Sequence, residues 1–275
     1  MLKDITLGQY FSGNSIIHRL DPRTKMIVSI LFIVAIFSAK GILGLSLLVL
    51  TAALIVLMSG ISFKVILKSL KPIVFVLLFT VILNIFLTKS TAEGPLFEFH
   101  FISVYRDGIW RAVYMALRVI ILIVGSSVLI SYTTSPIMLT DAIESLLKPL
   151  KKIKVPVHEF AMMMSIALRF IPTLIEETEK IMNAQKARGA DFSNGSIVKR
   201  AKALIPVLIP LFVSSFKRAE DLAMAMECRC YHGGEGRTRL VKLEYKVKDF
   251  IFMLAFLVLI ALVILLNQFS IGYMI

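Results

Sequence analysis

The chain has 275 residues, 57% of them apolar, with 31 Lys and Arg against 18 Asp and Glu. Because the apolar residues gather in long runs, the composition excludes an ordinary soluble domain and points to a multi-pass membrane protein. Two cysteines imply no disulfide framework. The basic excess comes without an aromatic-studded basic module, so nucleic acid is not expected as a partner, and an anionic membrane face or an acidic protein remains.

Residues 1–25 are polar and contain no apolar h-region, so no cleavable signal peptide is expected. Within His18-Arg19-Leu20-Asp21-Pro22-Arg23-Thr24-Lys25, Asp21 before Pro22 predicts a helix start, with Asp as N-cap and Pro at the first helical position. Met26 to Ser59 is apolar except for Lys40. One helix of that length would extend about 51 Å against a hydrocarbon core of about 30 Å, so two spans are predicted, breaking near Lys40-Gly41. A connection bearing Lys64, Lys68 and Lys71 follows, then a third span from Pro72 to Leu87 in which Asn84 reads as a helix–helix hydrogen bond. After a loop over 88–108, with Glu93, Gly94-Pro95, Glu98 and Asp107, a fourth span runs from Ile109 to Tyr132. It carries Arg118, which faces protein or water as either a functional or a structural residue. A fifth span covers Phe250 to Leu266.

The expected fold is thus an all-α membrane protein of about five transmembrane helices, divided as 1–132, an insertion over 133–248, and 249–275. With the N-terminus cytoplasmic, the inside pieces hold 4, 3 and 19 Lys and Arg, against 1, 2 and none outside. That bias predicts N-terminus inside, C-terminus outside and a cytoplasmic insertion.

The insertion opens with Thr133-Thr134-Ser135-Pro136 and a short amphipathic helix over 140–147 with Thr140 as N-cap. Beyond Pro156, the residues Phe160, Met164, Ala167, Ile171, Leu174, Thr178 and Ile181 repeat as one helical stripe. Pro172 should kink it, Glu176 and Lys180 form an i,i+4 pair, and Gly189 caps it after Lys186-Ala187-Arg188. Asn194-Gly195 marks a turn and Ser196 caps a second helix toward Arg229. Its apolar centre, Ala203 to Val213, is too short to span a bilayer and contains Pro206 and Pro210. Lys199, Arg200, Lys202, Lys217 and Arg218 flank it and suit the headgroup boundary. Met162, Met163, Met164, Met224 and Met226 suit either a surface that repacks or plain core filling.

Two helices therefore finish alike, at Ala187-Arg188-Gly189 and Cys228-Arg229-Cys230, 41 residues apart. Arginine's planar fork can grip carboxylates or carbonyls in an acidic pocket. Cations that merely complement a helix dipole are the simpler alternative.

Arg169-Phe170-Ile171-Pro172, Ala184-Gln185-Lys186-Ala187-Arg188-Gly189 and Ala225-Met226-Glu227-Cys228-Arg229 together resemble the transmembrane T component of energy-coupling factor (ECF) transporters. Leu20 to Lys25 and Thr133 to Pro136 fit the same family. The resemblance implies long crossing coupling helices that insert Arg188 and Arg229 into two cytosolic ABC-type ATPase subunits. It further implies a membrane-embedded substrate-binding S component as partner, with vitamin or metal-ion uptake as the outcome. ATP and Mg would be bound by the ATPases and no cofactor by this chain, which would not be an enzyme. Ala187, Gly189, Cys228 and Cys230 would frame the arginines, with Asp21, Arg23, Arg169 and Pro172 in support. Where the family has Ala-Arg-Gly this chain has Cys228-Arg229-Cys230, and Gly233-Gly234 is expected to end the helix instead of Cys230.

Other readings are weaker. Cys228-x-Cys230-x-His232 lacks the spacing and the fourth ligand of a zinc site. Glu176-Glu177 with His158 would hint at a membrane-embedded protease, but no HExxH or nucleophile motif occurs, and the acids more simply face water. A self-sufficient secondary transporter would want more polar residues in its spans than Arg118 and Asn84. Gly233-Gly234-Glu235-Gly236 is not a Walker A loop.

Overall fold

The structure, a computed structural model, describes residues 10–87, 97–99, 102–192, 196–234 and 243–269, with the backbone alone at 97–99, 102–104, 197 and 269. Gly94-Pro95 of the predicted loop and the predicted turn at Asn194-Gly195 lie outside these residues. The described chain is helical apart from one short antiparallel hairpin: α1 (Pro22–Ser38), α2 (Ile42–Ser59), α3 (Phe63–Leu70), α4 (Val74–Leu87), β1 (Phe97–Phe99), β2 (Ile102–Val104), α5 (Arg106–Ser126), α6 (Pro136–Leu147), α7 (Val157–Ala187), α8 (Ile197–Glu227) and α9 (Val247–Phe269). The described chain divides into two units, one within 10–142 and 243–269 and one within 143–234.

In the first unit α1 is the centre. Val28, Phe32, Ala35, Ile36 and Ala39 are fully or almost fully buried, packed with Leu45, Leu48 and Ile55 of α2, Ile121 of α5 and Phe256, Leu259 and Val263 of α9. Gly125 is required where α5 meets α1, since a Cβ there would run into the Phe32 ring. At the other extreme α4 buries no residue, leaving Phe75, Phe79 and Phe86 exposed as a lipid- or partner-facing surface would be.

The break between the first two spans falls where expected, with Ala39, Lys40 and Gly41 between α1 and α2. Its polar backbone is satisfied by side chains. Asn267 of α9 accepts from Lys40 N (3.0 Å) and donates to Ser38 O (2.7 Å), while Tyr114 and Arg118 of α5 both donate to Ala39 O. Arg118 also donates to the Tyr114 hydroxyl at 3.0 Å. Its role is structural: it caps the end of α1.

Three expectations are corrected. The basic connection of Lys64, Lys68 and Lys71 is itself helical, so the third apolar stretch runs continuously from Phe63 to Leu87. Asn84 donates to Thr80 O of its own helix. The close α4–α5 approach comes instead from Gly108, where a Cβ would sit 3.2 Å from the carbonyl oxygens of Asn84 and Ile85. The short helix of the insertion begins at Pro136, not after Thr140, because Ser135 Oγ accepts from Met138 N and proline at the first position needs no amide partner. Thr140 lies inside it and donates to Ile137 O.

Five helical stretches among the described residues are long and apolar enough to cross a membrane: Ile42–Ser59, Phe63–Leu87, Arg106–Tyr132, Val157–Ala187 and Val247–Gln268. The number is the predicted one, but the membership differs. α1, at 17 residues, falls one residue short of a full span by that measure. α7 enters at the lowest mean hydropathy of the five, 1.2 against 2.3 or more for the others.

Candidate functional site

The second unit contains the two arginine-ended helices. α7 and α8 are 31 residues each, and both stay helical through their prolines, Pro172 in one and Pro206 and Pro210 in the other. Ser196 caps α8 as predicted, accepting from Lys199 N. The pair is clamped where Glu177, midway along α7, accepts from Ser214 Oγ (2.7 Å) and pairs with Arg218 on α8. Glu177 therefore does not simply face water as its exposed neighbour Glu176 does. No ion pair joins Glu176 to Lys180 among the described residues. The stripe on α7 is graded: Phe160, Met164 and Ala167 are exposed, while Ile171, Leu174, Thr178 and Ile181 are half-buried.

The helix ends share one geometry. At the first, Gly189 takes a φ of +91°, Gly189 N donates to Lys186 O (2.9 Å) and Ala190 N reaches back to Gln185 O (3.0 Å). At the second, Cys230 takes a φ of +53°, Cys230 N donates to Glu227 O (2.8 Å) and Tyr231 N reaches back to Met226 O (3.1 Å). Both are Schellman motifs with a left-handed residue directly after the arginine. The expectation that the second helix would pass its ending to Gly233-Gly234 is thus corrected. Two main-chain hydrogen bonds worth about 1 kcal/mol each outweigh the cost of about 1 kcal/mol for cysteine in the left-handed region.

Arg188 and Arg229 consequently stand in equivalent places, and both are exposed. Because main-chain N–H groups already satisfy two end carbonyls of each helix, the guanidiniums are not needed to cap their own helices. Neither forms an ion pair or side-chain hydrogen bond among the described residues. Ala187 and Cys228, just before the arginines, are exposed as well.

Beside the second end is a cleft of about 750 Å³, lined by Met162, Ser165, Ile166, Arg169 and Phe170 of α7 and by Leu222, Met226 and Arg229 to Gly233. Arg169 and Arg229 thus border one cleft that no carboxylate lines among the described residues. Pro172 lies one turn further along α7. Nearby, His158 Nδ1 bonds Glu144 at 2.9 Å, so the His158 and Glu176-Glu177 constellation is not assembled. Cys228 and Cys230 are free thiols, and among the described residues no group of three or more His, Cys, Asp or Glu could hold a metal ion.

Asp21 and Arg23 belong to the first unit. The Asp21 carboxylate caps α1 by accepting from Arg23 N (2.8 Å) and is gripped by the Arg23 guanidinium at 2.9–3.0 Å. Arg23 also stacks over Tyr245, 3.9 Å from the ring centre. Asp249, at the start of α9 and buried, accepts from the backbone N–H of Asp21 (2.9 Å) and of Lys246 (2.7 Å). Lys25, 2% exposed, donates to Thr133 O (2.7 Å), Thr134 Oγ1 (3.3 Å) and His18 O (3.3 Å). The sequence motifs at 20–25 and 133–134 are therefore one buried polar network. Asp249 is unmarked in sequence, its only signal an acid just ahead of the last predicted span, while Lys25 is marked only as part of the motif at 20–25.

Such a molecule belongs to the class of multi-pass α-helical membrane proteins, here with two long, arginine-ended helices in a unit of their own. Residues 13–240 match the family described as cobalt transport protein, CbiQ, and the chain belongs to that family. Its similar relatives include three named energy-coupling factor transporter transmembrane protein EcfT. The one from Clostridium kluyveri is 54% identical over 265 residues, 96% of this chain and 97% of the relative. That of Acidaminococcus fermentans is 53% identical over 270 residues, 97% of each. That of Bacillus subtilis is 48% identical over 268 residues, 97% of this chain and all of the relative.

Proposed function

We propose that the chain is the transmembrane coupling (T) subunit of an energy-coupling factor importer. The observation that carries this reading is the matching main-chain closure of two helix ends whose Arg188 and Arg229 have no partner among the described residues. Each arginine is a prong for one of two cytosolic ABC-type ATPases, with Ala187, Gly189, Cys228 and Cys230 setting its direction. Arg169 and Pro172 shape the neighbouring surface, and Asp21 with Arg23 anchors the core. ATP and Mg are bound by the ATPases, whose closure moves α7 and α8. That movement reorients a membrane-embedded S component carrying a vitamin or metal ion. Residues 133–248 are cytoplasmic, as is the N-terminus, with the C-terminus outside; α7 is accordingly a coupling helix and α1 a short span flanked by Lys25 and Lys40.

Replacing Arg188 and Arg229 together by Ala should abolish co-purification of the ATPases and ATP-driven uptake. A buried arginine anchor is worth about 2 kcal/mol, or roughly 30-fold in Kd, at each end. Wild-type levels of both in the double variant would overturn the reading. For orientation, a membrane-impermeant maleimide should reach Cys228 and Cys230 only in opened cells; labelling of intact cells would reverse the topology.

A further inference from the structure

Between α6 and α7 the chain runs Lys148-Pro149-Leu150-Lys151-Lys152-Ile153-Lys154-Val155, first as a 3-10 segment over Lys148–Ile153. Every residue from 147 to 156 is exposed. Four ammonium groups fall within seven residues, no acid occurs between Glu144 and Glu159, and none of the four forms an ion pair or side-chain hydrogen bond among the described residues. Aliphatic side chains alternate with them: Ile153 is 77% exposed, with Leu150 and Val155 near 40%. Lys154 takes a φ of +62°, with Lys154 N on Lys151 O (3.1 Å) and Val155 N on Leu150 O (3.4 Å). Glycine or asparagine would reach that left-handed conformation with less strain, so a charge is held there against local backbone preference.

We infer that residues 148–155 form a strap that binds anionic phospholipid at the membrane surface. Lysines around exposed aliphatic side chains match an interface with phosphate above and acyl chains below. All four bases are lysine, a compact point charge on a flexible stem suited to mobile lipid phosphates, where the helix ends carry the arginine fork suited to a fixed protein carboxylate. The strap leads directly into α7, whose first turns expose Phe160, Met163 and Met164. The inference does not depend on the coupling role.

The test places a reporter at the most exposed aliphatic position. Ile153→Trp, in a Trp110→Phe background that removes the native tryptophan, is reconstituted in mixed vesicles of phosphatidylglycerol and phosphatidylcholine. Bromine is carried on one lipid or the other. Emission should be quenched about twofold more by brominated phosphatidylglycerol. Changing Lys148, Lys151, Lys152 and Lys154 together to Gln should remove that preference. Equal quenching by the two lipids before the lysines are changed, or no quenching by either, would overturn the proposal. Equal quenching accompanied by loss of bound ATPases from the four-fold variant would likewise overturn it and assign the strap to an acidic protein surface.

Discussion

The replacement of Cys230 by Gly isolates what the left-handed cap contributes to the second arginine end. Cysteine at a φ of +53° carries a strain of about 1–2 kcal/mol, because its Cβ crowds the following carbonyl. Glycine removes that strain but has more freedom to lose on ordering, taking back about 0.5–1 kcal/mol. The net expectation is a gain of about 0.5–1 kcal/mol in the local opening free energy. In hydrogen exchange, which reads such openings amide by amide, that is about two- to fivefold slower exchange at Cys230 and Tyr231, the donors to Glu227 O and Met226 O. Gly189→Ala is the opposite experiment. It adds a Cβ at a φ of +91°, and exchange at positions 189 and 190 should quicken about five- to thirtyfold for 1–2 kcal/mol. Peptides from the two ends, measured in the same detergent-solubilised sample, provide both readings at once. If Cys230→Gly leaves exchange at 230 and 231 unchanged or faster, the left-handed residue is not what limits that end, and the equivalence of the two closures fails.

Two further predictions concern the core. Lys25→Met keeps the length of the stem but leaves Thr133 O without its charged donor, at about 1.5–3 kcal/mol; thermal unfolding in detergent should begin several degrees lower, and an unchanged midpoint would mean that water replaces the ammonium. Gly125→Ala should cost about 1–3 kcal/mol by overpacking against Phe32, and Phe32→Leu in the same chain should recover part of it. A double variant no better than the sum of the singles would deny the steric cause.

The elements that could be read from sequence are those whose signal is local. Asp21-Pro22 specifies its own cap and first turn, Ser196 caps within three residues, and Gly189 needs only its own missing Cβ to take a positive φ. The same logic applied at Ser135-Pro136 finds the start of α6, where Thr140 offers a second cap nearer the apolar residues. What could not be read depends on partners far away in the chain. Asp249 holds the amide of Asp21 across 228 positions, and Lys25 finds Thr133 across 108. Glu177 looked like a solvated acid because nothing nearby in sequence announces Ser214 and Arg218. Asn84 misled in the other direction, since a polar side chain in a span can satisfy itself on its own helix one turn back.

The fate of the arginines ties these strands together. Arg23 is committed to Asp21 and Tyr245, Arg118 to Ala39 O and Tyr114, and Arg218 to Glu177. Each bonds a carboxylate or carbonyl within the chain, and each therefore serves the fold. Arg188 and Arg229 satisfy nothing inside the described chain, yet they stand on closed helix ends, where two main-chain bonds fix the backbone. A flexible end would lose conformational entropy each time its arginine was gripped, weakening the contact. A closed end has already met that cost on folding, and under the coupling role proposed above it would pass movement to a helix of 31 residues without first melting. The cap and the unpaired fork thus make sense together: the first gives the arginine a fixed direction, and the second leaves it for a partner.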